Sequence, residues 1–238
     1  MPDPWLLVAP GSLAPGEVTL DPGEARHLRA VLRRAAGASV VLTDGRGSRA
    51  RGVVCAVKRN HAVVAVEEVE RVPEPEGPGI TVALGVLQGQ AMDRAVTRAV
   101  ELGVERFVPV VAARSQGGPG AAARRLAHWG RAARQALKQC HRVWEMELSG
   151  PVTLEELLEE NAGAPGVVAD PEGLPLDRLG EGRGRLFLVG PEGGFTREER
   201  ERIARAGWVP LVLGANVLRA ETALVAGVAV LTLAHTGG

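Results

Sequence analysis

The sequence predicts an α/β protein in two parts, a small β-barrel at the N-terminus and a larger domain on a mainly parallel sheet. Three observations carry this. Residues 1–72 hold several short β-rich runs separated by turn signals. Residues 71–79 (RVPEPEGPG) gather three prolines and two glycines, the composition of a linker. From Ile80 onward, strand-like and helix-like segments alternate, as in a parallel sheet with covering helices. A chain of 238 residues has room for one large domain or two small ones.

In the first part, residues 18–20, 39–43, 52–57 and 62–69 are the strands. Asp44-Gly45-Arg46-Gly47 and Lys58-Arg59-Asn60 are the turns. Residues 22–34 form a helix: Ala25, Leu28, Val31 and Leu32 share one face, and Arg26, Arg29, Arg33 and Arg34 stand on its polar side. In the second part, residues 80–87 are a strand and 92–102 a helix, with Gly103 at its C-terminal end. Residues 104–111 make the next strand, 121–140 a longer helix and 152–160 another. Strands follow at 167–169, 186–189 and 208–213. The helix at 196–206 opens with Thr196, Glu198 and Glu199, a hydroxyl and carboxylates at the positive helix end. The last helix, near 221–232, is apolar on every side, which predicts a subunit interface and hence a homodimer.

Composition narrows the function. The formal net charge is zero, yet basic residues cluster. Residues 26–59 hold nine Lys/Arg against one acid, Asp44; residues 124–142 hold six and no acid. Local basic patches on a neutral protein fit nucleic-acid contact. Arg26, Arg29, Arg33, Arg34, Arg46, Arg49 and Arg51 are the candidate RNA-binding residues. Two cysteines, Cys55 and Cys140, suit a reducing compartment, and the start of the chain lacks a basic leader. With no apolar run of membrane-spanning length, a cytoplasmic location is expected. No Cys/His spacing matches a zinc site, so no metal is expected. The Gly-x-Gly-x-x-Gly fingerprint, the Gly-Lys-Ser/Thr phosphate loop and the Gly-x-Ser-x-Gly elbow are all missing from the sequence.

Two glycine loops remain. Residues 185–190 (RLFLVG) lead into Pro191-Glu192-Gly193-Gly194-Phe195, and Leu213-Gly214-Ala215-Asn216-Val217-Leu218-Arg219-Ala220-Glu221-Thr222-Ala223 follows some twenty residues later. Each is an apolar strand ending in a tight loop that launches a helix. Such loops expose backbone to a ligand, and open α/β sheets bind ligands at their strand ends. Exposed amides beside apolar walls suit an adenosine-type ligand.

These two motifs resemble those of the SPOUT methyltransferases. More narrowly, the chain is similar nearly end to end to the RsmE family, the 16S rRNA uracil-N3 methyltransferases. His27-Leu28-Arg29-Ala30-Val31-Leu32-Arg33 with Gly37, and Asp44-Gly45 with Gly47, look like that family's N-terminal domain. Glu101-Leu102-Gly103-Val104 with Pro109, and Trp129 with Gln139-Cys140-His141-Arg142, look like its catalytic domain. The chain departs from the pattern at Gln88 and Arg98, where lysines are expected, and at Asn216, where an arginine is usual.

The resemblance implies a PUA-like β-barrel over 1–72 and a SPOUT α/β domain over 73–238, with a deep trefoil knot over about 185–235. It implies S-adenosyl-L-methionine as cofactor, held by Leu188, Val189, Gly190, Pro191, Glu192, Gly193, Gly194, Leu213, Gly214, Val217, Leu218 and Ala223. It implies methylation of N3 of a uridine in 16S rRNA or the small ribosomal subunit. A neutral uracil N3 carries a proton, so the enzyme must favour the deprotonated ring, whose charge spreads onto O2 and O4. Arg219 and Arg142 are the candidates to stabilise that charge, and Glu221 or Glu192 to accept the proton. Two other readings stay open: a SPOUT 2′-O-ribose methyltransferase, and an RNA-binding assembly factor without catalysis.

Overall fold

The computed structural model describes residues 3–75, 79–180 and 184–236. The chain divides into two compact units: Met1–Glu76 with Leu137–Glu145, and Gly77–Ala136 with Met146–Gly238. Residues 76–78 of the expected linker lie outside the described residues.

The first unit is built on one sheet. Its strands are β1 (Trp5–Leu7), β2 (Gly16–Leu20), β3 (Ser39–Thr43), β4 (Ser48–Lys58), β5 (His61–Val66) and β6 (Glu70–Arg71). Their order is β1-β3-β4-β5-β2, with β6 paired to β4. Alternation sets the two faces. Ala50, Gly52 and Val54 of β4 point inward, joining a core of Leu6, Leu28, Leu42, Val64 and their neighbours. Arg49, Arg51 and Val53 point outward. A register shift between Val54 and Ala56 bends β4 as it passes along β5.

The helix expected at 22–34 is two pieces. Helix α1 (Pro22–Arg26) is capped by Asp21, whose Oδ1 accepts from the N–H groups of Gly23 and Glu24 at 2.6 and 3.0 Å. A π-helical turn at His27–Val31 follows, and Arg33 then takes a positive φ of 51°. Leu28 is buried while Arg29 and Arg33 remain exposed.

The 44–47 turn receives the distant segment of the same unit. The Gly47 N–H donates to Val143 O at 2.9 Å, and the Glu145 N–H donates to Gly45 O at 2.9 Å. A Cβ on Gly47 would lie 2.3 Å from the Trp144 ring, at a φ of +84°. Only glycine accepts both the conformation and the ring. Asp44 organises the turn, its Oδ1 accepting from the N–H groups of Arg46 and Ser48 at 2.9 and 3.0 Å. Burial pushes the Asp44 carboxyl up, but these bonds outweigh it and hold the pKa below its ordinary value. Lys138 and Glu24, both poorly exposed, pair at 2.5 Å and tie the segment to α1.

The second unit carries a parallel sheet of β7 (Thr81–Gly85), β8 (Arg106–Val111), β9 (Glu147–Leu148), β10 (Val152–Thr153), β11 (Gly166–Leu174), β12 (Leu186–Val189) and β13 (Val209–Leu211). The order is β10-β8-β7-β12-β11-β13, with β9 beside β8. Its helices are α2 (Gln90–Glu101), α3 (Pro119–Gln139), α4 (Leu154–Glu160), α5 (Arg197–Arg205) and α6 (Ala220–Thr236). Helix α5 has the capping box its sequence promised: Thr196 Oγ accepts from the Glu199 N–H at 3.2 Å and Glu199 Oε2 accepts from the Thr196 N–H at 2.8 Å. The strand β12 is buried throughout, as expected between two neighbours of a parallel sheet.

Helix α6 packs on α2, β7 and β12. Ala223, Leu224, Val228 and Leu231 are its buried stripe. Val225, Ala226, Ala229 and Val230 are only half-buried, and Leu233 is 71% exposed. The chain by itself therefore covers one side of an apolar helix. No helix among the described residues is long and apolar enough to cross a membrane.

Candidate active site

The two glycine loops meet in one cavity of about 560 Å³ in the second unit, within the usual range for small-ligand sites. Four segments line it: the chain after β12, the chain after β13, the middle of β11 and the first turn of α2. Of the residues expected to hold a cofactor, Val189, Gly190, Pro191, Glu192, Gly194, Leu213, Gly214, Val217, Leu218 and Ala223 line it. Leu188 and Gly193 do not. Leu188 is fully buried in β12, where it packs in the core. A Cβ on Gly193 would meet Arg114 Cβ at 3.0 Å, so its bareness admits Arg114. Arg114 Nη1 in turn donates to Gly193 O at 2.8 Å and pins the loop.

The loop after β12 is seated by close approach. A Cβ on Gly85, at the end of β7, would lie 2.4 Å from Pro191 N. At Gly214 a Cβ would meet nothing within 4 Å. The first glycine lets two backbone segments touch, and the second leaves cavity space open.

The charged groups are arranged around this backbone. Arg219 and Glu221 both line the cavity, but Glu221 is held by Arg94, whose Nη2 donates to Oε1 at 2.8 Å. That hydrogen bond first, then one from its own backbone N–H and the charges of Arg94 and Arg219, lower the Glu221 pKa against a burial that would raise it. A carboxyl so stabilised as the anion is a poor proton acceptor. Glu192 Oε1 accepts from the Gln88 N–H at 2.9 Å, joining the loop after β12 to the entry of α2. Arg142 lies in the first unit, where its N–H donates to Leu137 O at 3.0 Å, and is not among the lining residues.

Sequence reasoning missed Arg94, Ala169, Asp170, Pro171, Phe195 and Arg200 as lining residues. Asp170 and Pro171 stand inside β11 where its pairing with β13 breaks between Ala169 and Leu174. An Asp-Pro pair reads locally as a turn, and only the sheet shows that the strand resumes. Asn216, one of the departures noted above, is exposed and lines the cavity.

A family model described as an RNA methyltransferase domain matches residues 75–232, and one described as an RNA methyltransferase PUA domain matches residues 20–67. Ribosomal RNA small subunit methyltransferase E of Aquifex aeolicus is 34% identical over 181 residues, covering 73% of this chain and 76% of that protein. The chain belongs to the RsmE family of RNA methyltransferases. The Synechocystis RsmE is 28% identical over 92% of this chain and 73% of its own length. Among solved structures, a methyltransferase from Legionella pneumophila in complex with SAM superposes on this RsmE-family chain with a TM-score of 0.89 and 27% identity, covering 98% of both chains. The RsmE of Neisseria gonorrhoeae bound to S-adenosyl methionine gives a TM-score of 0.85 and 26% identity, again over 98% of both.

Proposed function

We propose that this protein transfers a methyl group from S-adenosylmethionine to N3 of a uridine in 16S rRNA, forming 3-methyluridine, and that it works as a cytoplasmic homodimer. The observation that carries the proposal is the single cavity formed by both glycine loops, in a chain that superposes on a methyltransferase and an RsmE each solved with S-adenosylmethionine. The residues present fit that cofactor. Backbone of Gly190 and Leu213–Leu218 faces an adenine edge, and Val189, Leu211 and Leu218 supply apolar walls. Asp170, Glu192 and Glu221 offer carboxylates to an ammonium or a sulfonium, and Arg94 and Arg200 offer cations to a carboxylate. The open space at Gly214 is the room the ligand needs.

When bound, the cofactor supplies an activated methyl on a sulfonium. The protein's part is to orient the base and control its charge. Arg219, exposed at the cavity, places a guanidinium where O2 or O4 of a deprotonated uracil gains negative charge. Glu221, fixed as an anion by Arg94, orients groups in the cavity and does not serve as the base.

The finer architecture belongs to the same proposal. The sheet of the first unit is the wall of a PUA-like barrel, a reading that the bend in β4 supports, and the barrel presents Arg26, Arg29, Arg33, Arg34, Arg46, Arg49 and Arg51 to RNA. Residues 185–235 form a trefoil knot in this reading, which is supported by β12 lying between β7 and β11 and by α6 packing back onto α2, β7 and β12. The half-covered apolar side of α6 is the dimer face.

Mass spectrometry of rRNA nucleosides from cells lacking the protein tests the reaction. Loss of 3-methyluridine, restored by the wild-type gene, is the expected result. Loss of a 2′-O-methylated nucleoside instead, or no change at all, would reject it in favour of ribose methylation or a non-catalytic role.

A further inference from the structure

We infer that Trp5 and His141 form a stacking platform for an unpaired RNA base on the outer face of the first unit. The inference rests on the reading of that unit as an RNA-binding surface and adds to it a specific mode of contact, single-strand stacking. The two rings lie nearly parallel, 4.8 Å between centroids and 13° between planes. Trp5 is half-buried and His141 is exposed.

The position of Trp5 is set by the sheet. Trp5 of β1 pairs with Val41 of β3, and Val41 pairs with Arg51 of β4. The intervening neighbours Leu6, Leu42 and Ala50 are buried in the core, so Trp5, Val41 and Arg51 stand side by side on the opposite, outward face. Arg51 is exposed and makes no ion pair among the described residues. An aromatic stack with an unmatched guanidinium one strand beyond Val41 is the chemistry of a nucleotide: a flat base on the ring, a phosphate at the cation.

The chain spends few aromatic rings this way. It has three Phe, four Trp and no Tyr. Phe107, Phe187, Phe195, Trp129 and Trp208 are buried. Trp144 is engaged with Gly47 and donates from Nε1 to Pro73 O at 3.1 Å. Trp5 is the remaining ring, and among the described residues its ring stacks with that of His141. His141 holds that place at a positive φ of 60°, a conformation glycine would adopt without strain. An apolar protein partner is the other conceivable occupant, but the flanking Arg51 and the basic cluster of the unit favour a polyanion.

The test is fluorescence anisotropy with a short single-stranded RNA and a duplex of the same sequence, using the full-length protein. His141→Gly removes the ring and relieves the backbone, so the fold is retained, which thermal melting verifies. Single-strand affinity is expected to fall roughly five- to a hundredfold, with duplex affinity unchanged, since stacking needs an unpaired base. Trp5→Leu is expected to follow it. Unchanged single-strand affinity in a folded His141→Gly protein overturns the platform, as does an equal loss for both RNAs. The triple substitution of Arg29, Arg33 and Arg34 by Gln separates this from the broader reading. If the triple variant loses both RNAs while His141→Gly loses neither, the basic surface stands and the stack falls. If the wild-type protein binds neither RNA, both readings fall together.

Discussion

The cavity of the second unit and the outer face of the first are made of different material. The cavity is framed by fixed backbone: Gly85 lies against Pro191, Arg114 holds Gly193 O, and Glu192 accepts from the Gln88 N–H. The outer face is side chains, Arg51 on the bent strand β4 and Arg29 and Arg33 in and after the π-helical turn, all in solvent. A backbone site has one geometry, because moving a peptide moves a strand. A side-chain surface has many, and its affinity is a sum of small, salt-dependent terms. Substitutions should therefore act abruptly on the first and gradually on the second.

The sharpest break is expected at Arg219. Arg219→Ala should lower the methyl-transfer rate about a hundred- to a thousandfold, the usual effect of losing one preorganised donor to a developing anion. RNA binding should hardly change. Single-turnover kinetics beside anisotropy separates the two. Next is Gly214→Val, whose side chain enters open cavity space. Melting should be unaltered while S-adenosylmethionine affinity by calorimetry falls about tenfold or more. Equal affinity would place the ligand elsewhere.

Glu221→Gln tests the charge assignment inside the cavity. Arg94 keeps Glu221 below its ordinary pKa, so it is already ionised across the neutral range. Its removal should cost less than about tenfold and leave the pH–rate limb near neutrality in place. A lost limb would make Glu221 the base after all. On the outer face, the triple replacement of Arg29, Arg33 and Arg34 by Gln should flatten the salt dependence of single-strand binding by about two in slope, without touching cofactor affinity. The smallest effect is expected at Arg49. Its guanidinium meets Glu70 at 2.7 and 2.8 Å, so Arg49→Gln should change the slope less than Arg51→Gln does.

That last pair also shows what the sequence could and could not disclose. The strand–glycine–helix units after β12 and β13 were legible because each signal is local: an apolar run, a glycine, a cap. Their convergence on one cavity followed from the parallel order of the sheet. The Arg49–Glu70 pair was not legible, since it depends on β6 lying against β4. The basic stretch around Arg49 holds only one acid, Asp44, and the carboxylate that matches Arg49 sits twenty-one residues away. Strand β1 was missed because three residues carry too little pattern. The helix at 22–34 was legible in Ala25 and Leu28, which are buried, but Val31, expected on the same apolar face, is 66% exposed, because the geometry changes to a π-helical turn after Arg26.

The seating of Val143–Glu145 in the 44–47 turn has a temporal consequence. The first unit is assembled from two stretches of chain, with residues 77–136 of the other unit between them. During synthesis its six strands emerge early and can pair, but Gly47 has no Trp144 to receive and Glu24 has no Lys138 until that insert has been made. The N-terminal unit is thus the first to begin folding, but it is not complete until after the second unit has started. A ribosome stalled before residue 145 would carry a sheet with an open turn, and pulse proteolysis of such nascent chains should cut near Asp44–Gly47 until Glu145 clears the exit tunnel.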